Sequence, residues 1–107
     1  MKILNKNIDS YSDDAVYIGR GSKWGNPFKI GPDGTRVEVI NKYENWLKTQ
    51  SELIDSIDEL IGRNLLCFCK PKACHGDVLV KVLTMSKYDR QLWAAGSYDR
   101  HNFFESE

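Results

Sequence analysis

Leu65-Leu66-Cys67-Phe68-Cys69-Lys70-Pro71-Lys72-Ala73-Cys74-His75-Gly76-Asp77-Val78-Leu79-Val80 decides the fold of this chain. The first five residues are a compact apolar run without apolar partners at helical spacing on either side. Such a run predicts a strand buried on both faces, hence central in a sheet. Pro71 ends it, because proline cannot donate to a strand ladder. Apolar residues resume at helical spacing over 78–85, with Gly76 or Asp77 near the start. A buried strand that hands over to a helix within a few residues is half of an α/β layer.

Working outward, Ala15-Val16-Tyr17-Ile18 is a second short run of strand formers, and residues 1–4 are a third candidate. Between 19 and 34 stand Gly19, Gly21, Gly25, Pro27, Gly31, Pro32 and Gly34. No regular element survives that density of breakers, so the segment is a long structured loop. Thr35-Arg36-Val37-Glu38 then matches a capping box. Val37, Ile40, Tyr43, Trp46 and Leu47 follow on one helical face. A second helix is expected over 52–61, with Leu53, Ile57, Leu60 and Ile61 inward and Gly62 as its stop. Residues 86–107 read as an extra helix and a tail. Tyr-Asp-Arg occurs at 88–90 and 98–100, too short a match to define a repeat. The order β–loop–α–α–β–α predicts a small layered α/β fold, a short and mostly parallel sheet flanked by helices, with a right-handed crossover.

The 107 residues suit one domain spanning 1–107, with no linker to divide it. The chain is 41% hydrophobic and 28% charged, and its formal net charge is zero. A general nucleic-acid binder normally carries a basic excess, so that class is not expected, nor is a membrane protein: no apolar stretch approaches the ~20 residues that span a bilayer. The start shows no secretion signal, so a cytoplasmic location is expected. There thiols stay reduced, and three cysteines within eight residues read as ligands or reactive groups before disulfides.

The loop motif is Gly19-Arg20-Gly21-Ser22-Lys23-Trp24-Gly25-Asn26-Pro27-Phe28. It leaves the carboxyl end of a predicted strand, where open α/β sheets bind ligands. Glycines let the backbone approach a ligand, and exposed amides can cradle an anion. Arg20 and Lys23 supply charge, Ser22 and Asn26 hydrogen bonds, and Trp24 a flat face for a base or sugar. The spacing is neither a P-loop nor a dinucleotide fingerprint. The alternative is a glycine-rich turn pinned to the core by Trp24 and Phe28, with Arg20 pairing a surface carboxylate.

The second motif, Cys67-x-Cys69-x-Pro71-x-x-Cys74-His75-Gly76-Asp77, admits three readings. Cys67, Cys69, Cys74 and His75 are zinc-type ligands, although the spacing departs from usual knuckles and four ligands in nine residues crowd a tetrahedron. Alternatively Cys74 or Cys69 is a nucleophile, its thiol pKa lowered by a helix N-terminus. In the third reading Cys67 packs as a small hydrophobe. Cys74, His75, Asp77 and the free amides of the helix N-terminus then face a ligand. His101 in the tail is expected to be exposed.

With both motifs quoted, the chain resembles an uncharacterised family of small phage and bacterial proteins, domain of unknown function 4326. The resemblance rests on Tyr17-Ile18-Gly19-Arg20, Ser22, Trp24-Gly25-Asn26-Pro27-Phe28, Tyr43, Trp46-Leu47, Leu66-Cys67-Phe68-Cys69, Pro71, Cys74-His75-Gly76-Asp77 and Leu79. It covers about residues 15 to 83. It implies one polar pocket built by the two loops. By association with phage genomes it implies a role in nucleotide metabolism or in conflict with host defence, in the host cytoplasm.

The leading expectation is a protein without cofactor or metal that binds a nucleotide-derived small molecule. A cyclic dinucleotide or a cyclic ADP-ribose type of immune signal, sequestered rather than turned over, is one form. Its site residues are Arg20, Gly21, Ser22, Lys23, Trp24, Gly25, Asn26, Cys74, His75 and Asp77. The alternatives are a small nucleotide- or nucleoside-processing enzyme using Cys74, His75 or Asp77, and a zinc-stabilised interaction module. Trp93, Phe103 and Phe104, read as exposed aromatics, point to a homodimer.

Overall fold

The computed structural model describes residues 1–96. Three short strands, β1 (Ile3–Asn5), β2 (Val16–Tyr17) and β3 (Leu65–Cys67), form one parallel sheet in the order β1-β3-β2. Both outer strands align on Leu65, opposite Ile3 on one side and Val16 on the other. All of β3 is buried, as a central parallel strand must be. It stops at Cys67, two residues earlier than the apolar run predicts. There the Lys6 amide makes the last bond to the Cys67 carbonyl (2.8 Å), and no further partner continues the ladder. Phe68 is half exposed. The buried Asn5 amide group instead donates to the carbonyls of Phe68 and Lys70 (3.3 and 2.8 Å), fixing the turn that follows the strand.

Helix α1 (Arg36–Leu47) begins at the expected capping box. The Glu38 amide donates to Thr35 Oγ1, and Glu38 Oε1 accepts from the Thr35 amide. Its inner face is Val39, Tyr43 and Leu47, with Ile40 and Trp46 beside it. Val37, expected inward, is 65% exposed, because it points away from the face that carries Val39, Tyr43 and Leu47. The second predicted helix is split into α2 (Ser51–Ser56) and a 3₁₀ turn (Ile57–Leu60). Ile57 and Leu60 are fully buried, but Ile61 is exposed, since the chain leaves the helix at Leu60 to reach Gly62 in a left-handed conformation.

Helix α3 (Gly76–Leu83) follows β3 and presses Val78, Leu79 and Val82 into the core. It starts at Gly76, one of the two residues expected near its start, and ends at Leu83, two residues short of the apolar segment. Helix α4 (Lys87–Ala94) is capped by Ser86, whose hydroxyl accepts from the Asp89 amide. Trp93, expected on the surface, is buried: its Nε1 donates to Glu44 Oε2 (2.8 Å), and its ring is covered by the core. Arg90 is equally buried and donates to the Val82 carbonyl (3.0 Å) and to Asp58 (2.7 Å). His101, Phe103 and Phe104 lie outside the described residues. Among the described residues no helix is long and apolar enough to cross a membrane.

Candidate functional site

The loop after β2 folds on itself. Ser22 donates to the Gly19 carbonyl through both its amide (3.1 Å) and its hydroxyl (2.6 Å), and the Gly25 amide donates to the Ser22 carbonyl (3.1 Å). Gly25 sits so close that a Cβ there would lie 2.7 Å from the Gly19 carbonyl oxygen. Trp24 points into the core, 2% exposed, and its carbonyl accepts from Tyr43 Oη (2.8 Å). Asn26 acts as a bracket, donating to the Val39 carbonyl (3.1 Å) and accepting from the Phe28 amide (2.9 Å).

The second motif is equally tied. Asp77 accepts from the Cys74 amide (3.2 Å) and pairs with Lys70 (3.1 Å). The Gly76 amide donates to Cys74 Sγ (3.3 Å) and the Asp77 amide to the Cys74 carbonyl (3.0 Å). These donors at the start of α3 are therefore spent within the turn and are not free to meet a ligand. Cys74 is buried with its Sγ 3.6 Å from that of Cys67. Burial, reinforced by Cys67, pushes its thiol up to about 12, so desolvation outweighs the expected effect of the helix N-terminus.

His75 joins the two motifs. Its Nε2 lies 2.6 Å from the Ile18 carbonyl, and its ring meets Tyr43 edge-on at 4.9 Å. A carbonyl only accepts, so Nε2 carries the hydrogen and the neutral ring leaves Nδ1 as an acceptor. Burial holds its pKa below the ordinary value and nearby Arg20 adds to this, against the Ile18 and Trp24 backbone carbonyls and Asp77. The imidazole is accordingly neutral at pH 7.

Together the motifs enclose one cavity of about 320 Å³. The loop motif contributes Gly19, Arg20, Asn26 and Phe28 to its wall. The second contributes Cys67, Phe68, Cys69, Ala73, Cys74 and His75. Tyr17 of β2, Ile30, and Arg36 and Ile40 of α1 complete it. Tyr17 and Phe68 meet edge-to-face with centroids 5.8 Å apart. Two guanidinium groups and no carboxylate line the cavity. Arg20 is exposed, and Arg36 donates through Nη1 to the Ala73 carbonyl (3.0 Å). Among the described residues neither arginine is in an ion pair.

Of the expected site residues, Arg20, Asn26, Cys74 and His75 are brought together here. Gly21, Ser22, Lys23, Trp24, Gly25 and Asp77 do not line the cavity. Trp24 offers no free face because the core takes it, and Ser22 and Gly25 bond within the loop. Lys23 turns away to pair with Glu59 (2.9 Å) over the Trp24 ring, and Asp77 faces a separate shallow groove. The zinc set does not converge: among the described residues no group of three or more His, Cys, Asp or Glu side chains is placed to hold a metal ion. Sequence reasoning missed Arg36, which hid behind its role as the first residue of a capped helix. It also missed Tyr17, Phe28 and Phe68 as wall rings, although all three stand inside or beside the quoted motifs.

The chain is similar to two uncharacterized viral proteins. One, a 12.4 kDa protein in the nrdA-td intergenic region of Enterobacteria phage T4, is 35% identical over 86 residues, covering 75% of this chain and 78% of the relative. The other, protein R718 of Acanthamoeba polyphaga mimivirus, is 34% identical over 104 residues, covering 79% of this chain and 78% of the relative. No solved structure matches. A family model matches residues 2–85, from before β1 to the end of α3, and the chain belongs to that family, described as domain of unknown function (DUF4326).

Proposed function

We propose that the cavity between the two motifs binds a nucleotide-derived small molecule. One observation carries this reading: Arg20 and Arg36 face a cavity that has no carboxylate, beside the rings of Tyr17, Phe28 and Phe68. Unopposed guanidinium groups favour an anion, and phosphate matches their fork of donors. Aromatic walls favour a flat ring, which every nucleobase presents. Asn26 and His75, both on the cavity wall, are the polar groups that fix its orientation.

The reading is of binding and capture. Cys74, His75 and Asp77 do not form a reacting set: the thiol is held protonated, His75 spends Nε2 on the backbone, and Asp77 caps a turn. Capture of a nucleotide-derived signal inside an infected cell needs a fitted pocket and no reacting group, which suits a family with phage and giant-virus members.

The test is a thermal-shift screen against nucleotides, cyclic dinucleotides and ADP-ribose derivatives, with chromatography of each ligand afterwards. A rise in melting temperature that is lost in Arg20→Ala, with the ligand recovered intact, is expected. Recovery of a converted product would replace capture by catalysis, and the absence of any shift would end the nucleotide reading.

A further inference from the structure

We infer that the ligand is a single nucleotide unit bearing at least two negative charges on its phosphate end, and that Arg36 holds this end together with Arg20. The inference rests on the proposal that the cavity takes a nucleotide, and it narrows that class by size and charge.

Size comes first. At about 320 Å³ the cavity stands at the lower end of the range for small-molecule sites, roughly 300 to 1,000 Å³. Such a volume takes one base and sugar with the phosphate at the rim. A cyclic dinucleotide, with two of each, would leave half of its surface outside.

Charge separates a terminal phosphate from a single diester. Arg20 comes from the loop after β2, Arg36 from the first turn of α1, and both reach one cavity without a carboxylate between them. Two like charges on one small cavity repel unless an anion relieves them. A single diester charge neutralises one guanidinium, whereas a terminal phosphate carries about −1.5 to −2 at pH 7 and neutralises both. Arg36 is also pre-positioned. Its bond to the Ala73 carbonyl uses one Nη1 donor and leaves others in a fixed plane for phosphate oxygens. At the start of α1 the capping box takes the Thr35 and Glu38 amides.

Equilibrium dialysis of the full chain separates these statements. The probes are adenosine and guanosine, their 5′-monophosphates and 5′-diphosphates, the 3′,5′-cyclic monophosphates, and cyclic di-AMP and cyclic di-GMP. A 5′-mono- or diphosphate is expected to bind at one per chain, at least tenfold tighter than its nucleoside and its 3′,5′-cyclic ester. The ester has the same size and one charge fewer. Arg36→Gln, which retains an amide donor for the Ala73 carbonyl, is expected to weaken that binding at least tenfold with its melting temperature unchanged. Arg36→Ala is the parallel variant. Equal binding of the cyclic ester, tighter binding of a cyclic dinucleotide at one per chain, or unchanged affinity in a folded Arg36→Gln would overturn the inference and leave the nucleotide reading standing. Binding of none of the probes would overturn the inference, and together with no shift in the thermal screen it would remove the nucleotide reading as well.

Discussion

His75 shows how one side chain ties site to stability. Burial, the largest cause, keeps its folded-state pKa below the ordinary 6.5. As pH falls, the unfolded chain therefore takes up the proton first. The contribution to stability is complete above about pH 7 and declines as pH drops below about 6.5. Urea unfolding should show stability falling between pH 7 and pH 5 with a slope of at most about 1.4 kcal/mol per pH unit, the limit for one proton. The decline should be smaller in His75→Gln. The difference between the two proteins isolates His75, because the carboxyls of Glu38 and Glu44 are held below 4.5 and act only at lower pH. An identical slope in the variant would show that His75 does not titrate on unfolding. Gly25 makes a second residue-scale case. A methyl group there meets the Gly19 carbonyl oxygen at 2.7 Å, and backbone cannot step aside as a side-chain tip can. Gly25→Ala should cost about 1–3 kcal/mol, the usual range for overpacking, as measured by chemical denaturation.

Among the elements, α4 lies beyond the region matched by the family model, yet it is docked by buried groups. Trp93 and Lys81 both donate to Glu44 Oε2, and Arg90 clamps the end of α3 to Asp58. Trp93→Ala should therefore destabilise the chain by about 3–5 kcal/mol, the range for emptying a large aromatic site. A loss under 1 kcal/mol in urea unfolding would mean that α4 is an appendage. Strand β3 teaches a different lesson. Apolar character alone extends it to Cys69, but a strand lasts only as long as its neighbours, and β1 pairs no further than Asn5. Phe68 and Cys69 are thereby released from the ladder to line the cavity.

At the level of the molecule, Tyr43 joins the parts that make the site. It is wholly buried, donates to the Trp24 carbonyl and packs on His75, so it ties the glycine loop, α1 and the start of α3 together without lining the cavity. Tyr43→Phe leaves a buried carbonyl without its donor and should cost about 1–3 kcal/mol of stability. If the cavity binds a nucleotide as proposed, the variant should also weaken that affinity, although Tyr43 does not line the cavity. Unfolding curves and dialysis on the same preparation read both effects, and unchanged affinity would show that the cavity keeps its shape without this tie.

The sequence by itself determined the α/β layering, the central position of the 65–67 segment and the capping box at Thr35, whereas the meeting of the two motifs was implied only by the family resemblance. The first three follow from local composition: strand formers without helical spacing, a hydroxyl three residues before a glutamate, and breakers that leave the chain only a loop. Arg20, Asn26, Cys74 and His75 were legible as candidates, because polar side chains in a glycine-rich loop or at a helix start have few other uses, and all four line the cavity. Only the tertiary structure decided which side chains of those motifs face the cavity. Trp24, Ser22, Gly25 and Asp77 have the chemistry of a binding loop, but each is taken by a nearer partner within the fold. Arg36 lies eight residues beyond the loop motif and outside both motifs, and only the packing of α1 against the Ala73 turn brings its charge to the cavity. Chemistry is written residue by residue, whereas orientation is set by competition among contacts distant in sequence.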